Sequence, residues 1–286
     1  MKCLYYPGCS QKASSISYEK SFLTIARALG IEIIELDDWN CCGTTVTISV
    51  NEILSHTLSA RNLAIAEPYN LPVVAPCPSC YISLNKVNKL YKEKSFLVDK
   101  INASLNEGGL KYNGKVRVYN ILDFLVNFVG ADKISQKVVK PLKNIKIAPY
   151  YGCQIVNPYA TGDDNDNPRN LEKIIEVLGA VPVDFPYRTM CCGGSLMFTR
   201  KPQAEQMSNI ILKSISHAGA DMVATPCGLC QINLNLAEKT SNQYSGSRIS
   251  LPVLNIAQLI SAAFGLEKSD AIENFRKTEK SLTEVM

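Results

Sequence analysis

Cysteines carry the chemistry of this chain, and their spacing is repeated. The sequence holds eleven of them. Cys9 stands alone after Tyr6-Pro7-Gly8, Cys41 and Cys42 form a doublet before Gly43, and Cys77 and Cys80 frame Pro78-Ser79. The device recurs at Cys153, at Cys191-Cys192-Gly193 and at Cys227-Gly228-Leu229-Cys230. Cys41 to Cys77 and Cys191 to Cys227 both span 36 residues, and the two copies are offset by 150. Ten cysteines thus form two sets of five, and Cys3 is left over as a residue of the core. Thiolates ligate zinc and iron–sulfur clusters, and a structural zinc site needs only four of them. One cysteine per set would then have no role. An iron–sulfur cluster accommodates the five better, with either an unusual geometry or one thiol kept for a substrate.

The composition narrows the setting. The chain has 286 residues, with 30 Lys and Arg against 26 Asp and Glu, a net charge of +4 that leaves no footprint of nucleic-acid binding. No apolar run approaches the length of a membrane span, and no signal peptide precedes the first cysteine, so a cytoplasmic protein is expected. In that compartment thiols stay reduced, and the cysteines are expected to serve metal or redox chemistry rather than disulfides.

The elements that must position the thiols alternate in type. Lys2–Tyr6, Ile31–Leu36, Leu71–Ala75 and Val116–Tyr119 read as strands, and so do Ile145–Tyr150, Val181–Phe185 and Asp221–Ala224. Helical spacing recurs in Phe22, Ile25, Ala26 and Leu29, in a segment capped by Ser49 and running to about Ala66, in one opened by Pro78, and in Leu122–Val129. The second half repeats it in Leu171–Leu178, Pro202–Ala218 and Ile256–Phe264. Strand–helix alternation predicts an α/β fold of two homologous, pseudo-twofold-related halves, each a small parallel sheet flanked by helices. The expected domains are residues 1–140 and 141–286, linked through Lys133–Lys143. Each cysteine group falls just past the carboxyl end of a strand, where open α/β sheets bind ligands. The second half adds an insertion, Ala160–Asn170, with Asp163, Asp164 and Asp166, and the tail from Glu267 is polar.

With both motifs complete, the chain resembles the CCG-domain family, and within it the B-type polypeptide of heterodisulfide reductase and its relatives in sulfur-oxidising complexes. The resemblance covers nearly the whole chain. It implies a non-cubane [4Fe-4S] cluster on each set: Cys9, Cys41, Cys42, Cys77 and Cys80 for one, and Cys153, Cys191, Cys192, Cys227 and Cys230 for the other. It further implies the catalytic member of an oxidoreductase complex, which makes or breaks a disulfide between the clusters in two one-electron steps. Family members often carry histidine after the lone cysteine of the second half, where this chain has Gln154. Glutamine hydrogen-bonds but is no general acid, which moves the expected substrate toward another disulfide, a thiol or a lipoyl protein, with Gln154 as its contact. The two histidines, His56 and His217, both fall within predicted helices, and neither is expected to be catalytic.

The chain has no ferredoxin motif, so the resemblance implies two partner proteins: a ferredoxin-like iron–sulfur carrier and a flavoprotein. CCG-domain proteins also serve flavin dehydrogenases in electron transfer, which is the alternative reading. Lys12, Arg188, Arg200 and Lys201, near the cysteine turns, are further candidates for substrate contacts.

Overall fold

The first strand, β1 (Lys2–Tyr5), buries three of its four residues. Its side chains alternate: Cys3 and Tyr5 enter one core, Leu4 and the following Tyr6 another. Burial on both faces marks a parallel sheet covered by helices on each side. β1 pairs in parallel with β2 (Glu32–Glu35) through Cys3↔Ile33, and with β3 (Val73–Val74) through Leu4↔Val73. β3 pairs with β4 (Val118–Tyr119), giving the order β2-β1-β3-β4. The second half repeats this with β5 (Lys146–Pro149), β6 (Val181–Pro182), β7 (Met222–Thr225) and β8 (Val253–Asn255) in the order β6-β5-β7-β8. The expected α/β architecture, two halves with one small parallel sheet each, is what the chain adopts. This computed structural model describes residues 1–44, 46–156, 163–244 and 251–266. The tail from Glu267 and residues 160–162 of the insertion lie outside the described residues.

In both sheets the chain leaves the first strand to one side and returns on the other. The strand order therefore switches between β1 and β3, and between β5 and β7, the place where such sheets bind ligands. Cys9 follows β1 and Cys77 follows β3; Cys153 follows β5 and Cys227 follows β7.

The inner faces of the two sheets share one core. Phe22 and Ile25 of helix Ile16–Ala28 and Phe124 of the first half pack in the same cluster as Ile174 of helix Asn170–Val177 and Leu259 of helix Ile256–Ala263. The outer face of the first sheet is covered by helices Glu52–Ala66, Pro78–Lys92 and Leu97–Glu107, through Leu63, Tyr81 and Ile101. Helices Lys201–His217 and Gly228–Tyr244 cover the second, through Ile211 and Leu234.

Caps repeat where the sequences match. The Asn120 side chain accepts from the Asp123 amide and Asn255 from the Gln258 amide, each at 2.9 Å, fixing the helices after β4 and β8. The helix expected from Ser49 is instead capped by Asn51, which accepts from the Leu54 amide at 2.9 Å. A separate short helix, Val46–Val50, occupies the residues before that cap. The expected linker is partly ordered as helix Ala131–Ser135, and Leu142 is buried in the shared core.

Candidate metal centre

Each lone cysteine follows a glycine in the left-handed region of the backbone. Gly8 has φ +64°, and a Cβ there would lie 2.7 Å from the Cys80 sulfur. Gly152 has φ +70°, and its Cβ would lie 3.0 Å from the Cys230 sulfur. The chain therefore passes over the sulfur of the second CxxC cysteine on its way to Cys9 or Cys153. The glycines after the doublets do something else. A Cβ on Gly43 would meet the Ser55 backbone at 3.0 Å, and one on Gly193 the Ala204 Cα at 2.8 Å. These two bring the doublet against a helix rather than the backbone against sulfur.

The doublets are held in the same way in both halves. Tyr6 donates to the Asn40 carbonyl at 2.7 Å and Tyr150 to the Met190 carbonyl at 2.6 Å, each just before a doublet. Ser59 donates to the Cys42 carbonyl at 2.7 Å and Ser208 to that of Cys192 at 2.8 Å. Asn233 adds a second donor to Cys192 at 2.6 Å. Neither pair is among the residues expected from the sequence; the tyrosines carry a signal, each standing three residues before a lone cysteine, while the serines lie far along a neighbouring helix.

None of the eleven cysteines is in a disulfide. Cys42, Cys80, Cys192, Cys227 and Cys230 are buried; Cys77, Cys153 and Cys191 are half-buried; Cys9 and Cys41 are exposed. The Cys192 and Cys230 sulfurs are 3.5 Å apart. Backbone amides point at sulfur: Gly193 to Cys191 at 3.4 Å, Gly194 to Cys192 at 3.3 Å and Cys230 to Cys227 at 3.5 Å. Hydrogen bonds from neighbouring thiols favour the thiolate. Cys41 and then Cys80 lower Cys42, Cys80 lowers Cys77, Cys230 lowers Cys192, and Cys153 lowers Cys191 to about 6. Cys80 and Cys230, as the donors, are pushed well above the ordinary value. Cys3 is buried in the central core, and burial pushes its thiol up to about 12.

All five cysteines of the second set line one cavity of about 170 Å³. Pro78 and Ser79 of the first half line it too, with Tyr151, Gln154, Gly194, Ser195 and Leu229 of the second. Ser79 donates to the Gln154 side-chain oxygen at 2.6 Å. Among the described residues no group of three or more His, Cys, Asp or Glu side chains is gathered to hold a metal ion. The fit to a cluster rests instead on the soft donor set, the amides aimed at sulfur, and the two glycines that leave room beside Cys80 and Cys230.

Two of the four candidate cations are engaged elsewhere. Lys12 pairs with Glu19 and Glu35, both at 2.8 Å, and Arg188 with the buried Glu172 at 2.8 Å. Arg200 is exposed, and Lys201 faces Glu205 at 3.8 Å on the surface. His56 is buried, 3.3 Å from Glu52, and His217 is exposed at the end of its helix. Asp163 accepts from the Arg169 and Asn170 amides at 2.9 Å, so this acid of the insertion holds a helix start.

The fold and the two thiol sets define a duplicated cysteine-rich module. The family described as a cysteine-rich domain, CCG, matches residues 3–85 and 147–235, and the chain belongs to it. It is 33% identical over 264 residues to the 8-methylmenaquinol:fumarate reductase membrane anchor subunit of Wolinella succinogenes, covering 92% of each chain. It is 27% identical to the B-type polypeptide of the ferredoxin/F(420)H(2)-dependent CoB-CoM heterodisulfide reductase of Methanosarcina acetivorans, over 93% of this chain and 87% of that one. Among solved structures, a hypothetical protein from Helicobacter pylori shares the fold with a TM-score of 0.71 at 13% identity. That match covers 95% of this chain and 50% of the other. No helix among the described residues is long and apolar enough to cross a membrane.

Proposed function

We propose that the ten paired cysteines hold two iron–sulfur clusters of the [4Fe-4S], non-cubane kind, and that the protein is the cluster-carrying, B-type member of a heterodisulfide reductase-like oxidoreductase complex. Cys9, Cys41, Cys42, Cys77 and Cys80 hold one, and Cys153, Cys191, Cys192, Cys227 and Cys230 the other. The observation that carries the reading is the cavity lined by all five cysteines of the second set together with Pro78 and Ser79 of the other half. When bound, each cluster supplies one electron at a time.

The chain's own residues do the rest. The Gly193, Gly194 and Cys230 amides stabilise negative charge on sulfur. Leu229, Pro78 and Tyr151 give the cavity apolar and aromatic wall surface. Gln154, held through its oxygen by Ser79, keeps its amide N–H group for a substrate sulfur or carbonyl. The substrate class is a disulfide, a thiol or a lipoyl group on a carrier protein, and the working location is the cytoplasm. The electrons are exchanged with a ferredoxin-like iron–sulfur carrier and a flavoprotein, as the family resemblance suggests. The two repeat domains, 1–140 and 141–286, each contribute one set.

A second reading is favoured by the relative at 33% identity, whose name is that of a fumarate reductase subunit. The ion pairs that occupy Lys12 and Arg188 also favour it. In it the chain relays electrons for a flavin dehydrogenase and binds no sulfur substrate. Electron paramagnetic resonance of the anaerobically purified protein separates the two. Under the first reading, an added thiol, persulfide or dihydrolipoamide shifts a cluster signal. If none of these perturbs either signal, the relay reading stands.

A further inference from the structure

The peptide joining Cys192 to Gly193 has donors on one edge and a sulfur on the other. Its carbonyl accepts from the Asn233 side-chain amide at 2.6 Å and from the Ser208 hydroxyl at 2.8 Å. Asn233 also donates to the Ser208 hydroxyl at 3.0 Å, which closes a ring of three hydrogen bonds. Both side chains are buried, Ser208 completely. They come from separate helices, Lys201–His217 and Gly228–Tyr244, so the peptide is pinned between the two. On its other edge the Gly193 N–H points at the Cys191 sulfur at 3.4 Å.

The first half departs from this at one place. Ser59 matches Ser208 and donates to the Cys42 carbonyl at 2.7 Å. The residue 150 positions before Asn233, however, is Ser83, whose hydroxyl meets that of Thr44 instead. The two sets share their cysteine spacing and differ in what holds the doublet.

We propose that Asn233 is a positioning residue of the second set, which adjusts the reduction potential there through the Cys192–Gly193 peptide. The proposal rests on the reading that the second set holds a cluster. A peptide carbonyl and its N–H are conjugated, so a donor on the oxygen draws electron density from the nitrogen and makes the N–H a stronger donor. Burial keeps water from competing for the same oxygen, and a hydrogen bond in such surroundings is electrostatically stronger than in water. A stronger N–H on the Cys191 sulfur favours the more negative, reduced state and so raises the potential. Asn233 therefore acts on Cys191 from the far side of a peptide, and it fixes the doublet against two helices as it does so.

The test titrates the cluster-loaded parent, Asn233→Leu and Ser208→Ala without air and follows each by electron paramagnetic resonance. Signals are assigned with Cys42→Ser and Cys192→Ser. Asn233→Leu keeps the bulk of the side chain and removes both of its donations. It should keep the parent's iron and sulfide content and the midpoint of the first signal, and move the second midpoint to a more negative potential. The coupling of the second signal to exchangeable amide protons, read by electron–nuclear double resonance against heavy water, should weaken with it. A second midpoint that stays put in Asn233→Leu overturns the proposal, and so does an equal shift of both signals. Should Asn233→Leu lose iron from the second set, Ser208→Ala decides by the same shift. Loss of iron from both variants also overturns it, since the pair would then build the site rather than adjust it. A parent protein without a second cluster signal sinks the cysteine reading itself, a failure distinct from an intact signal whose midpoint ignores Asn233.

Discussion

The Ser79 hydroxyl, inside the first CxxC motif, donates a 2.6 Å hydrogen bond to the side chain of Gln154, the residue after the lone cysteine of the second set. Two groups 75 residues apart are thus joined at the wall of one cavity. The glutamine is oriented by the other half of the molecule, and its place beside the second set depends on how the halves meet.

Ser79→Ala should therefore cost about 0.5–1.5 kcal/mol, the usual net worth of one such bond. It should also loosen Gln154 without removing it. Under the sulfur-chemistry reading, both Ser79→Ala and Gln154→Ala weaken the thiol-induced change in the resonance signal of the second cluster. An unchanged response in Gln154→Ala would end its candidacy as a substrate contact.

Gly8→Ala and Gly152→Ala should each empty one site. The added methyl falls 2.7 Å from Cys80 sulfur in the first and 3.0 Å from Cys230 sulfur in the second. Left-handed backbone adds about 1–2 kcal/mol of strain for a residue with a side chain. Iron and sulfide analysis should fall from about eight of each, the content of two [4Fe-4S] clusters, toward about half. Full loading of Gly152→Ala would mean that Cys230 is no ligand or that the turn moves freely.

The shared core predicts that the halves unfold together. Leu259 is fully buried in the second half and packs in the same cluster as Phe22 of the first. Leu259→Ala should cost about 2–5 kcal/mol through the lost contacts and the cavity left behind. Trp39, the sole tryptophan, lies in the first half and reports on it. Its fluorescence midpoint in urea should drop together with the far-ultraviolet dichroism. A Trp39 transition untouched by Leu259→Ala would show that the halves melt separately.

Glu172 gives a pH dependence of known sign. Burial raises its pKa, opposed by the Tyr151 hydroxyl and by the Arg188 and Arg169 charges, with Asp184 also near Arg188 at 3.7 Å. The folded state thus holds a proton that the unfolded state has released. Its contribution to stability is present below the ordinary glutamate range and is lost as the pH rises through the raised value. Glu172→Gln should flatten that part of the stability profile relative to the parent, read by thermal melts across mildly acidic to neutral pH. Arg188→Met, which leaves the carboxylate unpaired, should cost about 3–5 kcal/mol at neutral pH. Parallel profiles for the parent and Glu172→Gln would show that Glu172 does not titrate in this range.

Local rules determined a large share of this protein. Side-chain periodicity, the Asn caps and the Pro and Gly at strand ends act over a few residues. The alternation of strand and helix, the duplication and the two five-cysteine sets could therefore be read from the chain. The tyrosine three residues before each lone cysteine repeats in the sequence, but its bond to the doublet carbonyl spans 34 or 40 residues and came from the fold. The role of the glycines was not legible either. Gly43 and Gly193 meet helices, while Gly8 and Gly152 clear the sulfurs, because a close approach depends on what packs against the backbone from elsewhere. Lys12 and Arg188, near the cysteines in sequence, were claimed by Glu19 and Glu172, buried carboxylates that need a charged partner, with the exposed Glu35 adding a second contact to Lys12. The Ser79–Gln154 and Tyr18–Pro226 bonds span 75 and 208 residues. Only the meeting of two sheets over one core could bring those partners together.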